Sequence, residues 1–312
     1  MPTTRSPDND RMNATPPVEP ALPDWPCLLN GTLAPLNQTR VSVLDRGFIF
    51  GDGVYEVLPV YAGRIFGFGL HMARLERSLR EMRMPQAHNQ AQWLALSRQL
   101  ITQMRSRGFD DLLVYIQVTR GVALRDHVMP PDLPPTVFMM ATPMKPPSGQ
   151  ERAQGVACLT ADDFRWQKAH IKVTSLLGSV LARQISADAG QTETIMFRDG
   201  WLSEAASSNV WVVKGSRVVG PPKDHLVLEG IRFGIIERLC GELGIPFELR
   251  RISRDEVRQA DELLLSSATK EVLPVTRLDG QPVGHGDLRG HPGPVYHRLY
   301  SAYQQLKAAE SL

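Results

Sequence analysis

Lys172 stands between Ile171 and Val173 in the run His-Ile-Lys-Val-Thr-Ser-Leu-Leu-Gly, and it is one of only seven lysines against 28 arginines. An ammonium flanked by β-branched apolar side chains is half-buried, and burial pushes it toward the neutral amine. A neutral amine can form a Schiff base with a carbonyl cofactor, which makes Lys172 a candidate covalent anchor. A strand-end lysine that lays its stem on apolar surface and keeps its charge in water fits the same run. Thirty-two residues further on lies Glu204, in Trp201-Leu202-Ser203-Glu204-Ala205-Ala206-Ser207-Ser208-Asn209-Val210, after an Asp199-Gly200 hairpin signal. A carboxylate among small hydroxyl and amide residues could hold the protonated nitrogen of a pyridine ring. Small neighbours also let the backbone come close to a ligand.

In these two blocks the chain resembles the fold-type IV pyridoxal-phosphate family, which contains D-amino-acid aminotransferases, branched-chain aminotransferases and aminodeoxychorismate lyases. The resemblance runs in order over about residues 28 to 305 and is strongest to the D-amino-acid aminotransferases. It implies an α+β fold of two domains, a small α+β N-terminal domain and a larger C-terminal domain with a mixed, barrel-like sheet as its core. It implies pyridoxal 5′-phosphate as cofactor, with Lys172 as its anchor and proton carrier and Glu204 as partner of the ring nitrogen. Ser207, Ser208 and Asn209 would line the cofactor beside them.

The resemblance extends to an anion cup for the cofactor's phosphate. Arg74, in His71-Met72-Ala73-Arg74-Leu75-Glu76-Arg77, matches the family's phosphate-binding arginine, whose fork geometry suits two oxygens. On residue type alone it reads as a solvated helix-surface charge, and the family match is what assigns it to the phosphate. Gly230, Ile231 and Arg232 in Leu-Glu-Gly-Ile-Arg precede a predicted helix, and the first backbone N–H groups of that helix would bind an anion. Ser267 and Ala268, in Ser266-Ser267-Ala268-Thr269, would complete the cup. Here the chain departs from the family, since many relatives carry Thr where Arg232 and Ala268 stand. The backbone donors must then do more, with Arg232 adding charge.

Two further blocks bear on the substrate. Leu44-Asp45-Arg46-Gly47-Phe48-Ile49-Phe50-Gly51-Asp52-Gly53-Val54-Tyr55-Glu56 is the longest near-match to the family. Its glycines suggest bends close to a ligand, and Tyr55 is a candidate pocket wall or hydrogen-bond donor, although a Gly-rich turn with Tyr55 in the core reads equally well. In Thr119-Arg120-Gly121-Val122-Ala123-Leu124-Arg125-Asp126-His127, Arg125 and His127 match the residues with which D-amino-acid aminotransferases bind the substrate α-carboxylate. Residues two apart in an extended loop point the same way. A solvated polar loop is the other reading. In the family this loop reaches into the partner's pocket, which implies a homodimer with a shared active site. Arg165, seven residues before Lys172, reads either as support for this network or as a surface charge.

The activity implied is ping-pong transamination, from D-amino acids such as D-alanine to 2-oxo acids such as 2-oxoglutarate. A branched-chain L-amino-acid aminotransferase and an aminodeoxychorismate lyase are the alternatives within the family. A non-catalytic pyridoxal-phosphate-binding protein is the alternative outside enzymes, and the intact Lys172 and Glu204 argue against it.

The elements that must carry these residues can be read from patterning. Asn30-Gly31 between Leu28-Leu29 and Thr32-Leu33 predicts an opening hairpin. Met72, Leu75, Leu79 and Met82 fall at helical spacing, as do Trp93, Leu96, Leu100 and Met104. Val114, Ile116 and Val118 alternate as a half-buried strand does, and Val137 to Ala141 reads as a buried strand. Strands are predicted near 156–160, 193–198, 209–213 and 262–266, with helices near 176–188, 231–243 and 293–307. The domain expectation is a disordered extension over 1–24, a small domain over 25–142, a linker over 143–155 and a cofactor-binding domain over 156–312.

At 312 residues, 42% hydrophobic and 22% charged, the chain has the composition of a soluble globular protein, and no apolar run approaches membrane-spanning length. A net charge of +2, with scattered basic residues, gives no nucleic-acid footprint. Cys27, Cys158 and Cys240 are odd in number and lack metal-type spacing, so reduced thiols in a cytoplasm are expected, and no metal site.

Overall fold

The computed structural model describes residues 22–312, so the extension expected over 1–24 lies outside the described residues as far as residue 21. β1 (Pro26–Leu29) and β2 (Thr32–Pro35) form the hairpin that Asn30-Gly31 announces, with φ of 50° and 80° at the two turn residues. Positive φ at both positions is what this tight turn requires. The chain continues through α1 (Arg46–Phe50), β3 (Gly53–Tyr61), β4 (Arg64–Ile65), α2 (Phe68–Glu81), α3 (Gln90–Arg105), β5 (Leu112–Thr119) and β6 (Thr136–Pro143). The six strands make one antiparallel sheet in the order β2-β1-β6-β5-β3-β4. Met72, Leu75 and Leu79 of α2 and Trp93, Leu100 and Met104 of α3 bury against Val114, Ile116 and Val118 of β5. Burying side chains of this size contributes roughly 1.5–3 kcal/mol each, which explains why the helical spacing is so legible. Tyr55, Val57, Tyr115 and Gln117 occupy the alternate positions of β3 and β5 and are half-buried on the other face.

The second half comprises α4 (Gly149–Gln154), β7 (Val156–Asp162), α5 (Leu177–Asp188), β8 (Glu193–Arg198), β9 (Trp201–Ala205), β10 (Asn209–Lys214), β11 (Arg217–Gly220), α6 (Ile231–Glu242), β12 (Phe247–Leu249), α7 (Arg254–Arg258), β13 (Glu262–Ser267), β14 (Glu271–Leu278), β15 (Gln281–Pro282) and α8 (Pro294–Ala309). Nine strands form a mixed sheet in the order β12-β11-β10-β13-β14-β7-β8-β9, with β15 added to β14. The sheet curls on itself. Beyond β12 the chain returns to β9, where Leu202 N–H donates to Ile252 O at 2.8 Å and Arg254 N–H to Gly200 O at 3.0 Å. Val210, Val212, Leu263 and Leu265 fill the inside of the curl, while Trp211, Val213 and Leu264 pack outward against Phe233, Ile236, Tyr296 and Leu299 of α6 and α8. Both faces are buried, so these strands read as unbroken apolar runs. The α+β architecture with a barrel-like C-terminal core expected from the sequence is the one observed.

The stretch expected as a linker, 143–155, is not featureless, because it contains α4. Ser148 Oγ accepts from Glu151 N–H at 3.1 Å, while the Glu151 carboxylate accepts from Ser148 N–H at 2.7 Å. This reciprocal cap is a helix-start signal that a reading of Pro and Gly content passes over. Later segments of the chain pair with the first sheet. Val173 bridges Val54 of β3, and Leu312 exchanges backbone hydrogen bonds of 2.8 Å with Ile65 of β4.

Candidate active site

Lys172 lies on an irregular stretch between β7 and α5, not at a strand end. β3 pins it there, since Tyr55 N–H donates to Lys172 O at 3.0 Å and Thr174 N–H to Gly53 O at 2.9 Å. Gly51 closes α1 at φ 66°, and a Cβ in its place would lie 2.9 Å from Ser175 Cα. Only glycine accepts both that dihedral and that approach, which lets residues 51–53 lie against the lysine's segment. Ile171 and Val173 are buried and Lys172 is half-buried between them. Its Nζ sits 3.9 Å from the centroid of the Tyr55 ring, at the wall of a cavity of about 1020 Å³.

Across that cavity, Glu204 on β9 is buried and accepts three hydrogen bonds. Arg165 Nη1 donates to Oε1 at 2.7 Å, and Asn209 Nδ2 and Leu228 N–H each donate to Oε2 at 3.2 Å. Burial pushes this carboxyl up to about 7, against the pull of Arg165. A cationic ring nitrogen beside it would draw the value down again, so carboxylate and bound proton would stabilise each other. Arg165 is no surface charge. Asp163 holds it at 3.0 Å and 2.9 Å, and Ser203 Oγ donates to Asp163 at 2.8 Å. Burial would raise Asp163, but Arg165 and Ser203 keep it below the usual carboxylate range.

The anion cup forms at the other end of the cavity. α6 starts behind Gly230, where a Cβ would stand 2.2 Å from Asn209 Oδ1. Gly230 provides no side-chain cap, and the first N–H groups of α6, at Ile231 and Arg232, have no intrahelical acceptor. Arg74 turns inward on α2. Its Nε and Nη2 donate to Glu56 at 2.7 Å and 2.8 Å, and its Nη1 donates to Glu229 O at 3.2 Å. His71, one turn earlier, places Nδ1 2.8 Å from the same carboxylate. Burial would raise Glu56, yet Arg74 and His71 hold it far below the usual range, so it is ionised. Glu56, which the sequence left without a role, thus positions both.

Ser267 and Ala268 line the cup, and Ala268 O accepts from Arg232 Nη2 at 3.4 Å. Ser207, Ser208 and Asn209 line the cavity as well. The two serine hydroxyls, however, donate to buried Glu193 at 2.7 Å and 3.2 Å, and Lys270 Nζ reaches the same carboxylate at 2.9 Å. Sequence reasoning missed Glu193 and Lys270 because no local pattern links residues 77 apart.

Lys172, Glu204, Tyr55, Arg74 and the cup residues are therefore brought together, whereas Arg125 and His127 are not. Both are exposed and outside the cavity lining. They pack on Phe50, which does line it, with the Arg125 guanidinium 5.5 Å and the His127 ring 5.5 Å from the Phe50 ring centroid. Asp52 fixes the loop's base by accepting from Arg46 at 2.8 Å and from Arg120 at 2.8 Å and 3.0 Å, and Arg46 also donates to Asp126 O at 2.6 Å.

The family model for amino-transferase class IV matches residues 53–278, a span that includes Tyr55, Arg74, Lys172, Glu204, Arg232 and Ala268 of the cavity lining. The chain belongs to the class IV aminotransferases. It is 37% identical to a D-alanine aminotransferase of Bacillus licheniformis over 286 residues, covering 91% of this chain and 98% of the relative. Among solved structures, a branched-chain amino acid aminotransferase of Escherichia coli matches with a TM-score of 0.83 at 25% identity, over 93% of this chain and 97% of that one. A branched-chain amino acid aminotransferase from T.th., solved with pyridoxamine 5′-phosphate, matches in fold, with a TM-score of 0.84 at 23% identity over 92% and 96% of the two chains. The family and fold read from Lys172, Glu204 and their surroundings are thus borne out. Among the described residues, no helix of this aminotransferase is long and apolar enough to cross a membrane.

Proposed function

We propose that this aminotransferase moves the amino group of D-amino acids, D-alanine among them, to 2-oxo acids such as 2-oxoglutarate, using pyridoxal 5′-phosphate. The observation that carries the reading is one cavity that presents a lysine amine, a buried carboxylate and an anion cup, in a chain 37% identical to a D-alanine aminotransferase. The residues fit the cofactor. The α6 N-terminus, Arg74 and Arg232 suit a phosphate, the His71 Nε2 is buried without a partner beside them, and Glu204 suits a protonated ring nitrogen. When bound, the cofactor supplies a carbonyl for an amine to join and a ring that accepts electrons. Lys172 would hold the cofactor through its amine and, once displaced by an incoming amino acid, would carry the proton between the substrate Cα and the cofactor. Glu204, oriented by Arg165, Asn209 and the Leu228 N–H, would keep the proton on the ring nitrogen. Tyr55 would wall the pocket.

Arg125 and His127 would bind the substrate carboxylate in the pocket of a partner subunit. Supporting this are their exposure, the exposed Leu124, Val128 and Met129 beside them, and the exposed apolar side chains Leu177, Val180, Leu181 and Ile185 of α5, of which Leu177 and Val180 line the cavity. A homodimer would cover these surfaces. The small and cofactor-binding domains would meet at the 143–155 segment. Three buried free thiols accord with a cytoplasmic protein. Incubation with D-alanine and 2-oxoglutarate, and separately with L-leucine, tests the reading. Pyruvate from D-alanine and no transfer from L-leucine is the expected result, and transfer from L-leucine alone would establish the branched-chain activity instead.

A further inference from the structure

Arg232 is a cup cation whose charge the protein does not balance. At this end of the cavity, Arg74 is matched by Glu56 and Lys270 by Glu193. Arg232 is only 2% exposed, yet among the described residues no carboxylate lies within salt-bridge distance of it. Glu271, whose field reaches it, is already paired with Arg152 and Lys307 at 2.8 Å each. The hydrogen bonds of Arg232 go to neutral groups, Nε to the Tyr303 hydroxyl at 3.2 Å and Nη2 to Ala268 O at 3.4 Å. Its guanidinium carbon lies 5.6 Å from the Phe66 ring centroid. Its Nη1 has no hydrogen-bond partner among the described residues.

A buried charge is tolerated only when something of opposite sign meets it. Arg232 lines the cavity, sits at the second residue of α6 beside backbone N–H groups without intrahelical acceptors, and shares that lining with His71, whose Nε2 is buried without a partner. We propose that Arg232 is the charge-balancing contact of the cofactor phosphate in this chain, with Tyr303 of the C-terminal helix holding its Nε so that the remaining edge faces the cup. Arg74, neutralised by Glu56, then acts as a geometric donor rather than as the counter-ion. This rests on the pyridoxal-phosphate reading and adds to it a specificity determinant, since Arg232 selects for the phosphate and not for the ring.

The test compares pyridoxal phosphate with pyridoxal, which lacks the phosphate. Wild type and Arg232→Met are each loaded with either compound, and the dissociation constant is read from loss of cofactor absorbance on serial dilution. Arg232→Met should weaken pyridoxal phosphate by about 10- to 150-fold, the span of a charge-assisted contact, and pyridoxal by less than about threefold. Equal weakening of both compounds would mark Arg232 as scaffold only and overturn the assignment, as would no weakening of either. If Arg232→Met does not fold, Arg232→Lys serves, because it keeps the charge and loses the fork. It should weaken pyridoxal phosphate alone, by about 3- to 10-fold, and a matching loss for pyridoxal overturns the proposal. Wild type that binds neither compound would remove the cofactor reading itself, and this inference with it.

Discussion

Arg165 Nη1 donates to Glu204 Oε1 at 2.7 Å, and the two side chains are only 9% and 6% exposed. A buried carboxyl left alone would take up a proton, and a neutral carboxylic acid cannot hold the proton of a pyridine ring. Arg165 and the approach of that ring both favour the ionised form. Glu204→Gln should therefore lower kcat by at least about 100-fold, the low end for a lost preorganised electrostatic contact, while the cofactor stays bound. Steady-state kinetics at saturating substrate decide it. Turnover within about threefold of wild type would show that the ring nitrogen is held by another group.

Lys172→Ala should fold, retain cofactor through the cup and lose both the absorption band of the lysine-bound form and the transfer of amino groups. The clamp of residues 172–174 onto β3 is made by backbone atoms of Lys172 and Thr174, so the Lys172 side chain can be removed without undoing it. A wild-type spectrum with activity intact would exclude Lys172 and turn attention to Lys168, which is exposed.

Local chemistry explains what could be read in advance. Lys172 and Glu204 sit in short runs whose composition is unusual for their setting, Gly230 and Tyr55 are reached through the family resemblance, and the apolar periodicities of α2, α3 and β5 follow directly from which face is buried. What stayed hidden was pairing across the chain. Glu193 with Lys270, Arg165 with Glu204, and Tyr303 with Arg232 are joined only by the curl of the second sheet and the return of α8. The 143–155 segment differs in kind, since the Ser148–Glu151 cap is local and legible but is outweighed by the prolines and glycines that flank it.

His71 gives a pH signature that is separate from catalysis. Burial, only partly offset by Glu56, lowers its value to about 4 from 6.5. As pH falls, the unfolded chain takes up this proton first, so the contribution is fully present above about pH 6.5 and is lost as pH drops toward 4. The loss amounts to roughly 2–4 kcal/mol. The Glu56 contribution, held by Arg74, begins to be lost as pH falls through about 4.5 and goes on being lost below it, so it meets this window only at the lower end. Glu204, pushed up to about 7, contributes in the opposite sense over the same window in both proteins, so the readout is the difference between them. Denaturant midpoints at pH values of about 7, 5.5 and 4.5 should fall further, or rise less, in wild type than in His71→Gln. Parallel pH slopes in the two proteins would show that His71 does not titrate this way.

Arg125 and His127 are the proposed contacts of the substrate carboxylate, and both lie outside the cavity that Lys172 of the same chain lines. Arg125→Ala should raise the KM for D-amino acids and leave cofactor binding nearly unchanged, because Arg125 is outside the cavity lining and packs on Phe50, which lines it. Loss of a charge-assisted carboxylate contact implies a fall in kcat/KM of about 10- to 150-fold. His127→Ala should cost less, as one imidazole donor replaces a two-pronged fork. If the loop serves a partner's pocket, a mixed dimer of Arg125→Ala and Lys172→Ala chains has one site with both residues intact and one with neither. It should regain about half of the wild-type rate, whereas either homodimer is impaired. Unchanged D-alanine kinetics in Arg125→Ala would end the D-amino-acid reading, and a mixed dimer no better than its parents would place the loop's action within its own chain.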